Sequence, residues 1–215
     1  MRILGLDAAM ARCSAALLVD GVVRGEREAP GGRGQQTVLA QMVAELLDGV
    51  EALDAVAVSI GPGSFTGLRS AIALAHVLAA GRCKVLGVTV DQALSHQLGN
   101  VPGRAIWTAI DSRRGRIFLT RHHEATIAIN VVDVAPPAHP VVVAGDAAPD
   151  LVAWLTERGA DAWLSDVRQP AAASVAQVAA RMLAGDLPPH EAQPLYVDPP
   201  EAKLPAGGLR PAPLA

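Results

Sequence analysis

Residues 59–70 read "SIGPGSFTGLRS", between the apolar run "DAVAVSI" at 54–60 and a periodic stretch, "TGLRSAIALAHVLAA", at 66–80. The first is a short continuous apolar run, the pattern of a buried parallel strand, and the second has helical spacing. Gly61, Pro62, Gly63 and Gly67 lie in the connection and suit a tight strand-to-helix turn. Ser64 or Thr66 stands where a hydroxyl can cap the helix by accepting from its first free N–H groups. Loops of this composition also hold phosphates, so the known phosphate and nucleophile patterns need testing. A Walker loop requires a lysine before the final Ser or Thr, and none is near. A nucleophile elbow requires glycines two residues either side of the serine, whereas Pro62 and Thr66 flank Ser64. The dinucleotide fingerprint fails on spacing. The turn therefore reads first as structural or partner-facing, and second as an anion site at a helix N-terminus.

The pattern extends outward from this unit. "RILGLDA" (2–8) and "CSAALLVDG" (13–21) read as strands, and "VVRGEREA" (22–29) follows the Asp20-Gly21 hairpin signal. Residues 35–48 carry Val38, Leu39, Met42, Val43, Leu46 and Leu47 at three-and-four spacing, a helix. After the second helix come a strand at 84–90 and a short helix at 91–98, giving β-β-β-α-β-α-β-α. "NVPG" (100–103) looks like a hinge, and "RAIWTAIDSRRGRIFLTRH" (104–122) restarts the opening scheme, with Asp111 equivalent to Asp7. A duplication at this scale predicts two lobes, 1–101 and a smaller 102–198, with a cleft between them. Residues 199–215, "PPEAKLPAGGLRPAPLA", are non-periodic and read as a flexible tail.

Composition narrows the function. The chain of 215 residues is 51% hydrophobic, enough for a real core, and its formal charge of −3 gives it no basic footprint for nucleic acid or anionic membranes. Two cysteines, Cys13 and Cys83, outside any C-x-x-C pair suit a reducing cytoplasm. The opening segment is interrupted by Asp7 and Arg12, unlike a signal peptide, and no apolar run reaches the roughly 20 residues of a membrane span. The six histidines include no H-x-x-x-H pair, so no metal site is expected.

Two features point in different directions. Asp7 and Asp111, at equivalent strand ends, could hold a metal through water beside a nucleotide, which would make an ATP-dependent phosphotransferase or ATPase. However, the connection after Asp7, "AAMAR", has neither glycine nor hydroxyl residue for a phosphate cradle, and "AGDAAP" (144–149) has one glycine. "SRRGR" (112–116) could touch phosphate, but a solvated hairpin turn is the commoner explanation. The helices at 35–48 and 66–80 are apolar around most of their circumference, and a helix lying on a sheet needs only one apolar stripe. The surplus predicts a partner, with Val38, Leu39, Met42, Val43 and Leu46 on the first helix and Ser70, Leu74 and Val77 on the second as its contacts.

"GPGSFTGLR" (61–69), the opening "ILGLDAAMARCSAALL" and the later "AIDSRRGRIF" together resemble the TsaB (YeaZ) family, over residues 1 to about 120. "QPLYV" (193–197) looks like that family's closing P-x-Y motif. The resemblance implies an α/β fold of the duplicated actin/hexokinase/Hsp70-like (ASKHA) type with a reduced second lobe. It further implies a cytoplasmic, non-catalytic subunit without cofactor, in the machinery that forms threonylcarbamoyladenosine in tRNA. Its partners would be the paralogue TsaD, which carries the metal and the transfer chemistry, and the ATPase TsaE, with self-pairing possible and tRNA met only through the complex. Gly61–Gly67 and Arg69 would form the turn that seats the second helix in the interface. The sequence departs from the family where Ala8-Ala9 follow Asp7, where Gln35 replaces a histidine, and where Asp198 replaces an arginine.

Overall fold

A computed structural model describes residues 1–31, 34–121 and 124–197 of the chain. The tail at 199–215, Asp198, His122, His123 and the side chain of Gln35 lie outside the described residues.

The first sheet comprises β1 (Arg2–Asp7), β2 (Arg12–Val19), β3 (Val22–Pro30), β4 (Ala55–Gly61) and β5 (Lys84–Thr89) in the order β3-β2-β1-β4-β5. β1 runs antiparallel to β2 and parallel to β4. The connecting helices are α1 (Gln35–Leu46), α2 (Phe65–Ala79) and α3 (Val90–Leu98). The second sheet is built from β6 (Ala105–Asp111), β7 (Ile117–Thr120), β8 (Ile127–Ile129), β9 (Val141–Ala144) and β10 (Ala162–Leu164), ordered β8-β7-β6-β9-β10. That is the same third-second-first-fourth-fifth order, so the duplication expected from Asp7 and Asp111 is a duplication of topology. The reduction is specific too. Where α1 stands in the first lobe, the second has only a 3-10 turn at Val131–Asp133, followed by α4 (Ala148–Thr156) after β9. This is the duplicated actin-like α/β architecture.

Period-two alternation sorts the strand residues of the first sheet. Leu4, Leu6, Val56 and Val58 face one way and pack with Leu39, Met42, Val43 and Leu46 of α1 and Ala71, Ile72 and Ala75 of α2. Ile3, Ala55 and Ala57 face the other way, against Val175, Ala176, Val178, Ala179 and Met182 of α5 (Ala172–Ala184). α5 follows the second sheet in sequence yet completes the first sheet's back layer, so the chain crosses between the lobes once more than a boundary near residue 101 implies. Each fully buried Leu, Ile or Val contributes roughly 1.5–3 kcal/mol, so this layer is a large part of the fold. Met10, Leu68, Val90, Leu94, Ile110 and Ala144 form a smaller core that joins the lobes.

Candidate functional site

The glycine turn is explained by what it touches. A Cβ on Gly63 would lie 2.2 Å from the Ala9 carbonyl oxygen, and one on Gly67 would lie 2.0 Å from the Ala8 oxygen. Both glycines let the turn press onto the β1–β2 connection. The contact is held by hydrogen bonds: Ser64 N–H donates to Ala9 O at 2.6 Å, and Ser64 Oγ caps α2 by accepting from Gly67 N at 3.2 Å. Two of the N–H groups that an anion would use are therefore already engaged within the chain. Thr66 is exposed at the start of α2. Arg69 lays its guanidinium over the Phe65 ring, 3.6 Å from the centroid, and donates to Tyr196 Oη at 2.5 Å.

The helices divide the expected contact residues into two groups. On α1, Leu39, Met42, Val43 and Leu46 are buried and Val38 is half-buried, all packed on the chain's own sheet. Their spacing marks the one stripe the sheet requires. The opposite side of α1 carries Gln36, Thr37, Ala40, Gln41, Ala44 and Glu45, a polar and small-residue surface, so the expectation of a doubly apolar α1 is corrected. α2 is different. Val77 is 72% exposed, Ala73 is exposed, and Leu74 and Ser70 are partly so, a stripe at three-and-four spacing opposite Ala71, Ile72 and Ala75. Among the described residues of the second half, α5 lies on the other side of the sheet, and residues 190–197 reach α2 beside this stripe, at Arg69 and His76.

The two aspartates have opposite surroundings. Asp7 is fully buried and does not line the cleft between the lobes, which corrects its expected place there. Its Oδ1 accepts from Ala9 N at 3.3 Å, while Oδ2 and the neighbouring Ser59 Oγ are buried with no partner at hydrogen-bonding geometry. Desolvation raises its pKa to about 6, against the smaller opposing effects of the Ser59 hydroxyl, the Ala9 N–H and the Arg12 charge. Asp111 does line the cleft. Arg113 bridges it to Asp146, with Nη1 3.2 Å from Asp111 Oδ2 and Nη2 3.4 Å from Asp146 Oδ2. Asp146 Oδ1 also accepts from Asp111 N at 2.8 Å, and burial raises the Asp146 pKa. The fold class implies a nucleotide and a metal, and these residues do not fit them. Asp7 is sealed, the glycine turn is closed on carbonyl oxygens, and a guanidinium already bridges the Asp111–Asp146 pair. Among the described residues no group of three His, Cys, Asp or Glu is placed to hold a metal.

The cleft has a wall that the sequence did not disclose. Residues 190–197 run as a strap across the ends of β5 and β4: Gly87 N donates to His190 O at 2.9 Å, and Leu195 N donates to Ile60 O at 2.8 Å. Beside it His76 Nε2 lies 3.3 Å from Ala192 O, and Arg69 reaches Tyr196. Two segments more than a hundred residues apart, "GPGSFTGLR" and "QPLYV", thus meet at the rim of one cleft. Asp146 is the other residue that sequence reasoning leaves out, while Arg113 lies within the "SRRGR" segment. The aspartate after the glycine in "AGDAAP", at the end of an apolar strand, was the available signal for Asp146.

A family model described as "TsaD: tRNA N6-adenosine threonylcarbamoyltransferase" matches residues 34–136. The chain is 34% identical over 124 residues to the tRNA threonylcarbamoyladenosine biosynthesis protein TsaB of Escherichia coli (strain K12). That match covers 55% of this chain and 53% of the relative, so it spans about half the length of the curated relative. A crystal structure of an uncharacterized Pseudomonas aeruginosa protein with similarity to peptidase YEAZ superposes with a TM-score of 0.76 at 26% identity, over 92% of this chain and 99% of that one. YeaZ from Pseudomonas aeruginosa gives 0.71 at 25% identity, over 91% and 99%.

Proposed function

We propose that the chain is a TsaB/YeaZ-type protein and acts as the non-catalytic, activating partner of a TsaD-type transferase in forming threonylcarbamoyladenosine in tRNA. One observation carries the reading: α2 exposes Ala73 and Val77, with Ser70 and the half-buried Leu74 beside them, on the side of the sheet away from α5. The family model of the transferase runs through α1 and α2, so the two proteins share the module that bears this surface. Two such modules can pair helix against helix about a pseudo-twofold axis, with α1 offering Ala40 and Ala44 for close approach. Pairing buries Val77, which forgoes up to roughly 1.5–3 kcal/mol while uncovered, and the part of Leu74 that the core leaves exposed. In this reading Gly61–Gly67 fixes the angle of α2 by locking its first turn to Ala8 and Ala9. TsaE joins the pair, self-pairing uses the same face when the transferase is absent, and tRNA is met through the complex in the cytoplasm. The alternative, an ATP-dependent phosphotransferase using Asp7 and Asp111, has a sealed first carboxylate and a bridged second one against it.

The test is association of the chain with the transferase. Val77→Asp places a charge in the centre of the stripe and should abolish a one-to-one complex without altering the fold. An undiminished complex would remove the reading.

A further inference from the structure

The cleft between the lobes encloses about 720 Å³, within the roughly 300–1,000 Å³ typical of small-molecule sites. Its inner lining is apolar: Met10, Leu68, Ile110 and Phe118. Three large apolar side chains converge at its mouth although they are left in water, Phe65 at 58% exposure, Tyr196 at 48% and Leu195 at 38%. Such convergence at a concavity marks a surface that something else covers. A triphosphate is a poor occupant, since the turn N–H groups are engaged and two aspartates stand at the polar end. That end also holds two arginines of different status. Arg113 is committed to Asp111 and Asp146, one positive charge bridging two negative ones, whereas Arg114 lines the cleft with a guanidinium that makes no ion pair with any described residue. One uncommitted guanidinium beside an apolar cavity is the complement of one carboxylate or sulfonate on a hydrophobic body.

We propose that this cleft binds a small organic monoanion with an aromatic or similarly apolar body. The body lies among Met10, Leu68, Ile110 and Phe118 under the Phe65 and Tyr196 rings, and the anionic group meets Arg114. The site is separate from the docking face of α2 and stands whether or not the chain pairs with a transferase.

Two dyes of nearly the same shape test it: anionic 1-anilino-8-naphthalenesulfonate and neutral N-phenyl-1-naphthylamine. Each is titrated into the intact chain and followed by fluorescence and calorimetry. The expected result is saturable binding of one molecule of either dye per chain. Ala11→Trp fills the mouth from an exposed position on the lining and should abolish both, and Ala11→Leu, a milder filler, should weaken both. Arg114→Gln should weaken the anionic dye about tenfold, the loss of one charge-assisted contact, and leave the neutral dye within about twofold. Millimolar ATP with magnesium should displace neither. The proposal is overturned by absence of saturable binding, by binding that survives both Ala11 variants, by equal losses of the two dyes in Arg114→Gln, or by displacement with ATP.

Discussion

Asp7→Asn should make the protein more stable at neutral pH, and the gain should vanish in acid. Asp7 is fully buried, one of its oxygens has no hydrogen-bond partner, and its pKa rises from 3.8 to about 6. Below pH 3.8 the carboxyl is neutral in both folded and unfolded chains, and it costs nothing. As pH climbs from 3.8 to about 6 the unfolded chain releases the proton before the folded one, so folding stability falls. Above that range the loss is constant. A rise of roughly two units at about 1.4 kcal/mol each amounts to about 3 kcal/mol. Asparagine keeps the oxygen that accepts from Ala9 N–H and sets an amide donor beside the orphaned Ser59 Oγ, so it avoids the charge without creating a cavity. Urea unfolding of both proteins at pH 4, 5, 6, 7 and 8 reads the effect. With an m-value of about 2 kcal/mol per molar, the variant's midpoint should exceed the wild type's by up to about 1.5 M at pH 7. Near pH 4 the two midpoints should nearly coincide. Taking the difference between the two proteins cancels the titration of all other groups. A difference that stays flat from pH 4 to 8, or a variant less stable at pH 7, would refute the reasoning and return Asp7 to the solvated carboxylates available for chemistry.

Two further substitutions probe the turn and the helices. Gly67→Ala would place a methyl 2.0 Å from the Ala8 carbonyl oxygen. It should cost at least the roughly 1–3 kcal/mol of an overpacked site, measured as a lower thermal midpoint; an unchanged midpoint would show that the turn can retreat from the β1–β2 connection. Met42→Asp and Val77→Asp should separate cleanly, because Met42 is 7% exposed and Val77 is 72% exposed. The first buries an unpaired charge and should unfold the chain or destabilise it by several kcal/mol, whereas the second should stay within about 0.5 kcal/mol of wild type. Equal effects in urea would show that the two faces have been misassigned.

Local patterns in the sequence carried the fold because each strand and helix of the first lobe states its own period. The helix expected at 35–48 forms over Gln35–Leu46, and the one expected at 66–80 over Phe65–Ala79. β8 and β10 are three residues each, too short for alternation to register, and they were not legible. The surplus apolar residues of α1 misled for a related reason: three-and-four spacing gives the width of a stripe but not which way it faces. Val38 to Leu46 turned inward, while alanines made the outer side look greasier than it is. On α2 the same counting leaves Val77 in water, on the side away from Ile72 and Ala75, while Leu74 stays half-buried against the core. The cleft was least legible. Symmetry with Asp111 puts Asp7 at the cleft, yet Asp7 is fully buried and does not line it. The strap at 190–197, which builds the opposite wall, joins the glycine turn only in three dimensions.

The docking role of α2 is tested most directly by calorimetric titration of the TsaD-type transferase with the chain and with its Val77→Asp variant, each first shown to have the same urea midpoint. The account predicts one-to-one binding by the wild type and at least a hundredfold loss in the variant. Equal affinities for the two, or no binding by either, would contradict it.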